Sequence, residues 1–125
     1  MSEKEELGTD SVLNSKVKNG KEVNGIVSVV YLNKVYPEKS LEEEVFYVNF
    51  FVKDKTQTFS FILNEEKSIS AEELQTKNPY SFLTPLNTKW SKYYLVKFKK
   101  QKDILNFVFR NGSFESDLLV FEKDQ

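Results

Sequence analysis

Val45-Phe46-Tyr47-Val48-Asn49-Phe50-Phe51-Val52 is the most apolar window of the chain. It has the length of a strand and falls far short of the ~20 apolar residues that a membrane-crossing helix needs. Phe46, Val48, Phe50 and Val52 recur at every second position, while Asn49 and Lys53 punctuate the opposite side. This pattern predicts a central strand buried on both faces. Downstream, Asp54-Lys55-Thr56 supplies a turn, after which Phe59, Phe61 and Leu63 alternate with Thr58, Ser60 and Ile62. The two runs are predicted to form a hairpin whose register is held firmly, since a one-residue slip would turn the phenylalanines into water.

Working upstream, residues 38 to 44 read as a charged connection. Before it, Ile26 to Tyr36 places Val27, Val29, Tyr31 and Val35 on one face and Ser28 and Lys34 on the other, and Pro37, which has no N–H to give a ladder, ends the run. Val12 to Lys18 is a first strand closed by Asn19-Gly20, a dipeptide suited to a type I′ hairpin turn. Residues 64 to 88 break the strand rhythm. Ser70-Ala71-Glu72-Glu73 ahead of Leu74 matches a capping box and predicts one short helix there. Asn78-Pro79 and Thr84-Pro85 bracket Tyr80, Phe82 and Leu83, as expected of a crossover with its apolar side chains tucked in. Strands then return over Lys89 to Phe98, Ile104 to Arg110 and Leu118 to Lys123, with an Asn111-Gly112 turn between the last two.

Six to eight strands spaced in this way predict an all-β fold, an immunoglobulin-like antiparallel β-sandwich with one short helix in a crossover loop. Its core is expected to hold Val27, Val29, Phe46, Val48, Phe50, Phe59, Phe61, Trp90, Tyr94, Val96, Phe107 and Phe121. Residues 1–11, where Glu3, Glu5, Glu6 and Asp10 outweigh Lys4, read as a solvated acidic tether, and 12–125 as a single domain.

With 125 residues the chain can bury enough surface to fold without metal or disulfide staples. It contains no histidine and no cysteine, which excludes thiolate and imidazole metal sites and every His- or Cys-based catalytic arrangement. Basic and acidic residues number 18 and 19, and Arg110 is the only arginine, a composition that argues against phosphate or base reading. No Gly-x-Ser-x-Gly elbow, Walker sequence or dinucleotide fingerprint occurs. Glu42, Glu43 and Glu44, with Glu65 and Glu66, read as solvated loop charge. Asn111-Gly112-Ser113 matches a glycosylation sequon but is better explained as a hairpin turn. No catalytic residue, metal or cofactor is expected, and the chain reads as a non-enzymatic module.

The densest candidate site is Lys97, Lys99, Lys100 and Lys102 around a predicted hairpin turn, with Tyr93, Tyr94 and Phe98 beside it. Such a cluster could receive an anionic ligand, the aromatic rings acting as stacking platforms. An ordinary solubilising hairpin tip explains it as well, because lysines also protect edge strands.

Phe82-Leu83-Thr84-Pro85-Leu86-Asn87, Trp90 with Tyr94-Leu95-Val96-Lys97-Phe98, Leu105-Asn106-Phe107 and Leu119-Val120-Phe121-Glu122-Lys123 together give a pattern over roughly residues 20 to 123. It resembles the small surface lipoproteins of Campylobacter-type bacteria that carry a variant immunoglobulin-like fold. The resemblance implies a lipid-modified cysteine upstream of the acidic stretch Ser2 to Asp10, and a place at the outer membrane and cell surface or in the periplasm. It also implies adhesion or binding to a protein or glycan partner. The anchor is implied by resemblance alone, since the chain itself has no cysteine. Two other readings belong to different classes: a cytosolic β-barrel that binds nucleic acid through Lys97 to Lys102, and a carrier for a small apolar ligand.

Overall fold

A computed structural model describes residues 11–39, 42–84 and 90–123. The predicted tether, apart from Ser11, lies outside the described residues, as do Pro85 and Lys89. The strands are β1 (Val12–Asn19), β2 (Glu22–Tyr31), β3 (Glu44–Val52), β4 (Phe59–Leu63), β5 (Glu66–Lys67), β6 (Ser70–Leu74), β7 (Lys92–Phe98), β8 (Ile104–Asn111), β9 (Phe114–Glu115) and β10 (Leu119–Glu122). One helical turn, α1 (Leu32–Val35), follows β2, and short 3-10 turns span Pro37–Lys39 and Ser81–Leu83.

The expected all-β class is observed, and every strand pairing is antiparallel. The layering differs from the expected sandwich. Strands run as one ladder in the order β5-β4-β8-β9-β1-β2-β3-β7-β6, with β10 also on β8, and this sheet curls into a half-barrel. Two irregularities help it curl, because an extra residue in one strand bends it and increases its twist. The first lies between Val17 and Lys18, where the β1–β2 register shifts. The second separates β9 from β10. There the Ser116 hydroxyl accepts from the Phe109 N–H at 2.9 Å, and the Asp117 N–H reaches across to the Ser15 hydroxyl at 2.8 Å, tying the break to β1.

Inside the curl Val27, Val29, Phe46, Val48, Phe50, Phe61, Phe98, Phe107, Phe109 and Phe121 are buried together. Their rings lie close, 4.6 Å between Phe50 and Phe109 and 5.1 Å between Phe46 and Phe107. A second cluster forms outside the sheet, where α1 and the 3-10 turn over Ser81–Leu83 bring Leu32, Val35 and Leu83 onto Val30, Val45, Tyr47 and Tyr93. The two clusters explain why β3 is buried on both faces, as its sequence predicts.

Several expectations require correction. β3 does not pair with β4; it lies between β2 and β7, while β4 pairs with β8 and β5. The Asp54 carboxylate accepts from the Thr56 N–H and hydroxyl at 3.0 and 2.6 Å, building a side-chain turn that carries the chain over to β8 in place of a tight hairpin. The capping-box segment is strand β6, in which Ala71 pairs with Val96 and Leu74 with Tyr93. A four-residue local signal is outweighed by a ladder along β7, and the helical turn falls instead at Leu32–Val35. Asn19-Gly20 is not the turn centre. Asn19 pairs with Glu22, so Gly20 takes the first central position with φ +60°, the place of glycine in a type II′ turn; Gly112, φ +61°, does the same between Asn111 and Phe114. Phe59 is 39% exposed at the edge of the curl, and Trp90 is 60% exposed before β7 begins, so neither is fully in the core.

Candidate ligand-binding groove

The cover of α1 and residues 75–84 extends over half of the outer face of β1, β2 and β3. Successive outward rows of this face follow from the strand registers. Val12, Val30 and Tyr47 form the covered row; Asn14, Ser28 and Asn49 form the next; Lys16, Ile26 and Phe51 form the third. Thr84, the last described residue of the cover, lies 3.4 Å by its hydroxyl from the Asn49 amide. Past that contact the face opens into a groove of about 880 Å³ lined by Asn14, Lys16, Ile26, Ser28, Phe51 and Trp90. Its volume falls within the ~300–1,000 Å³ of ligand pockets.

The floor is apolar and accessible. Ile26 is 56% exposed and Trp90, the only tryptophan of the chain, 60%. Beside it the Asn14–Ser28–Asn49 row presents amides and a hydroxyl, with the Ser28 hydroxyl donating to Asn14 Oδ1 at 2.5 Å. Gly25 makes this floor possible. A Cβ there would stand 1.9 Å from the Phe51 carbonyl oxygen, so only glycine lets β2 and β3 approach as they do under Ile26 and Phe51.

The chain matches no known family model, no curated protein and no solved structure. The site therefore rests on its own geometry.

That geometry does not assemble the lysine cluster into a patch with stacking rings. β7 and β8 are not paired with each other, so the predicted hairpin is a link that crosses the end of the half-barrel. Lys99, Lys100 and Lys102 are exposed on that link, whereas Lys97 is half-buried on β7, facing a separate 140 Å³ pocket with Glu42, Glu43, Tyr36 and Tyr80. Tyr93 is 1% exposed beneath the outer cover, and Phe98 is equally buried in the interior. The interior of the curl is occupied by packed phenylalanine rings.

The link is built around a different residue, Glu44, which the sequence places among solvated loop charges and the structure buries completely. Its carboxylate accepts from the Tyr31 hydroxyl at 2.6 Å, the Gln101 N–H at 2.8 Å and Lys123 Nζ at 2.8 Å, and Lys123 also donates to the Gln101 carbonyl at 2.6 Å. Burial pushes its pKa up, but the hydrogen bonds from Lys123, Tyr31 and Gln101 more than offset this and hold it below the usual carboxylate range. At the opposite end Asn24 donates to Asn111 Oδ1 at 2.7 Å, and Asn111 reaches the Gln57 and Thr58 carbonyls. Both are structural closures.

Sequence reasoning missed the groove because it assigned Trp90 to the core. Two signals pointed the other way: Trp90 falls between Pro85 and the strand alternation that begins at Lys92, and Asn49 interrupts an otherwise apolar outer row in the middle of β3.

Proposed function

We propose that this domain is a non-enzymatic binding module that holds a protein or glycan partner in the outer-face groove. The observation that supports the reading is the exposure of Trp90 and Ile26 beside Phe51, on a sheet face whose other half is covered by α1 and residues 75–84. Tryptophan is enriched where binding energy concentrates, and an apolar surface left open beside placed polar groups is the usual form of a ligand site. Display at a bacterial outer membrane and cell surface, or in the periplasm, through a lipid on an upstream cysteine comes from the lipoprotein resemblance and completes the proposal.

The test is an NMR titration of labelled protein with separate protein and polysaccharide fractions of a bacterial envelope. The reading expects shifts confined to Asn14, Lys16, Ile26, Ser28, Asn49, Phe51 and the Trp90 indole. Shifts centred on Lys99, Lys100 and Lys102 would move the site to the β7–β8 link and overturn the groove.

A further inference from the structure

The outer-face rows carry more information than exposure. The Asn14–Ser28–Asn49 row lies beside the Lys16–Ile26–Phe51 row, two residues further along the same strands, so the rows are about 7 Å apart. Ser91 continues the register of β7 beyond Lys92 and Phe50 to stand opposite Phe51, and it lines the groove together with its neighbour Trp90, which lies before β7 begins and sets the indole near the β7 end of the apolar row. Lys16 stands at the other end, three strand spacings or about 14 Å away. It is the one charged side chain that lines the groove, no carboxylate lines it, and Lys16 forms no ion pair with any described residue.

We propose, building on the groove as the binding site, that its ligand is an acidic oligosaccharide. A pyranose ring has an apolar C–H face and a hydroxyl-bearing edge, and adjacent apolar and amide rows match that division. The C–H face would rest on Phe51 and Trp90, removing apolar surface from water. Hydroxyls along the edge would meet Asn14 and Ser28, and the Asn14 amide NH₂ is available to donate because Ser28 engages its oxygen. A carboxylate or phosphate on a neighbouring ring would reach Lys16, which requires more than one sugar unit along the 14 Å row. A peptide fits less well. Its backbone needs partners, and the groove floor is a sheet face whose main-chain groups are already spent in the β1–β2–β3 ladder.

The test follows Trp90 fluorescence while the intact chain is titrated with tetrasaccharides of uronic acids, with phosphorylated tetrasaccharides, and with the carboxyl-reduced neutral counterparts. The acidic sugars are expected to bind about three- to fivefold more tightly than the neutral ones, the size of one exposed charge pair. Lys16→Gln should erase that difference, and Trp90→Ala, followed by isothermal titration calorimetry because the variant has no tryptophan to report, should abolish binding of all of them. Whether the carboxylate or the phosphate series binds better identifies the acidic group. Equal affinity for acidic and neutral sugars would overturn the role of Lys16. If no saccharide perturbs Trp90 but an envelope protein does, the ligand assignment falls and the groove stands; if neither does, both fall.

Discussion

Replacing Glu44 with Gln keeps the size of a fully buried side chain and removes its charge, leaving Lys123 without its anion. Lys123 retains 20% side-chain exposure, so water relieves part of its loss; Tyr31 and Gln101 donate to different carboxylate oxygens, so the single amide oxygen of Gln keeps only one of them and the other faces an NH₂. Breaking a buried ion pair from one side costs about 3–5 kcal/mol, and hydrogen bonds to a charged group contribute about 1.5–3 kcal/mol each. With partial relief at Lys123, a loss of about 2–3 kcal/mol is expected, and a melting temperature lower by roughly 10 °C for a chain of this size. Urea unfolding of wild type, Glu44→Gln, Lys123→Met and the double variant measures it, with a coupling energy of at least about 1.5 kcal/mol between the two positions. The pH dependence gives a second reading. The folded carboxyl titrates below its unfolded value of 4.5, so its stabilisation is fully present above pH 4.5 and is lost as pH falls through the depressed folded value. Wild type and Glu44→Gln should therefore converge in acid. A single variant that costs less than about 0.5 kcal/mol, or a difference that persists unchanged at low pH, would refute the closure of the barrel end by this pair.

Three further expectations test the architecture by equilibrium unfolding. Gly25→Ala should destabilise by about 3 kcal/mol or more, because its Cβ meets the Phe51 backbone at 1.9 Å and strands β2 and β3 must separate; a near-neutral result would show that the floor of the groove is not so tightly drawn. Glu65→Gly should stabilise by about 1 kcal/mol, since Asn64 and Glu65 turn β4 into β5 with φ of 49° and 69°, where a side chain is strained. Tyr93→Ala should cost about 3–5 kcal/mol as a core deletion, whereas Lys99→Gln, Lys100→Gln and Lys102→Gln should each stay within about 0.5 kcal/mol.

What the sequence displayed was local and periodic. Alternation located β1, β3, β4, β7, β8 and β10 to within a few residues, whereas the run expected over Ile26 to Tyr36 begins at Glu22 and is strand only to Tyr31, and the apolar run of β3, broken only by Asn49, announced burial on both faces. Partner choice was not legible. Nothing in the Phe59–Leu63 run distinguishes β3 from β8 as its neighbour, because both offer apolar inner faces, and the curl into a half-barrel depends on bulges at Asn24 and Ser116 that leave no alternation signature of their own. Ser70-Ala71-Glu72-Glu73 carried a true helix-start pattern, and only the presence of β7 alongside turns it into a strand. Glu44 looked like loop charge because Tyr31, Gln101 and Lys123, which make its burial tolerable, come from distant parts of the chain. The groove was half legible: Asn49 marked the end of the covered row, but Trp90 could be placed outside the core only once the start of β7 was known.

The central claim is that the open outer face is a binding site, and Trp90→Ala tests it most directly. With wild type and variant compared in parallel for ligand affinity and urea midpoint, the account predicts at least a tenfold loss of affinity with an unchanged midpoint, as befits a side chain 60% exposed. Undiminished affinity in a folded Trp90→Ala protein would contradict it.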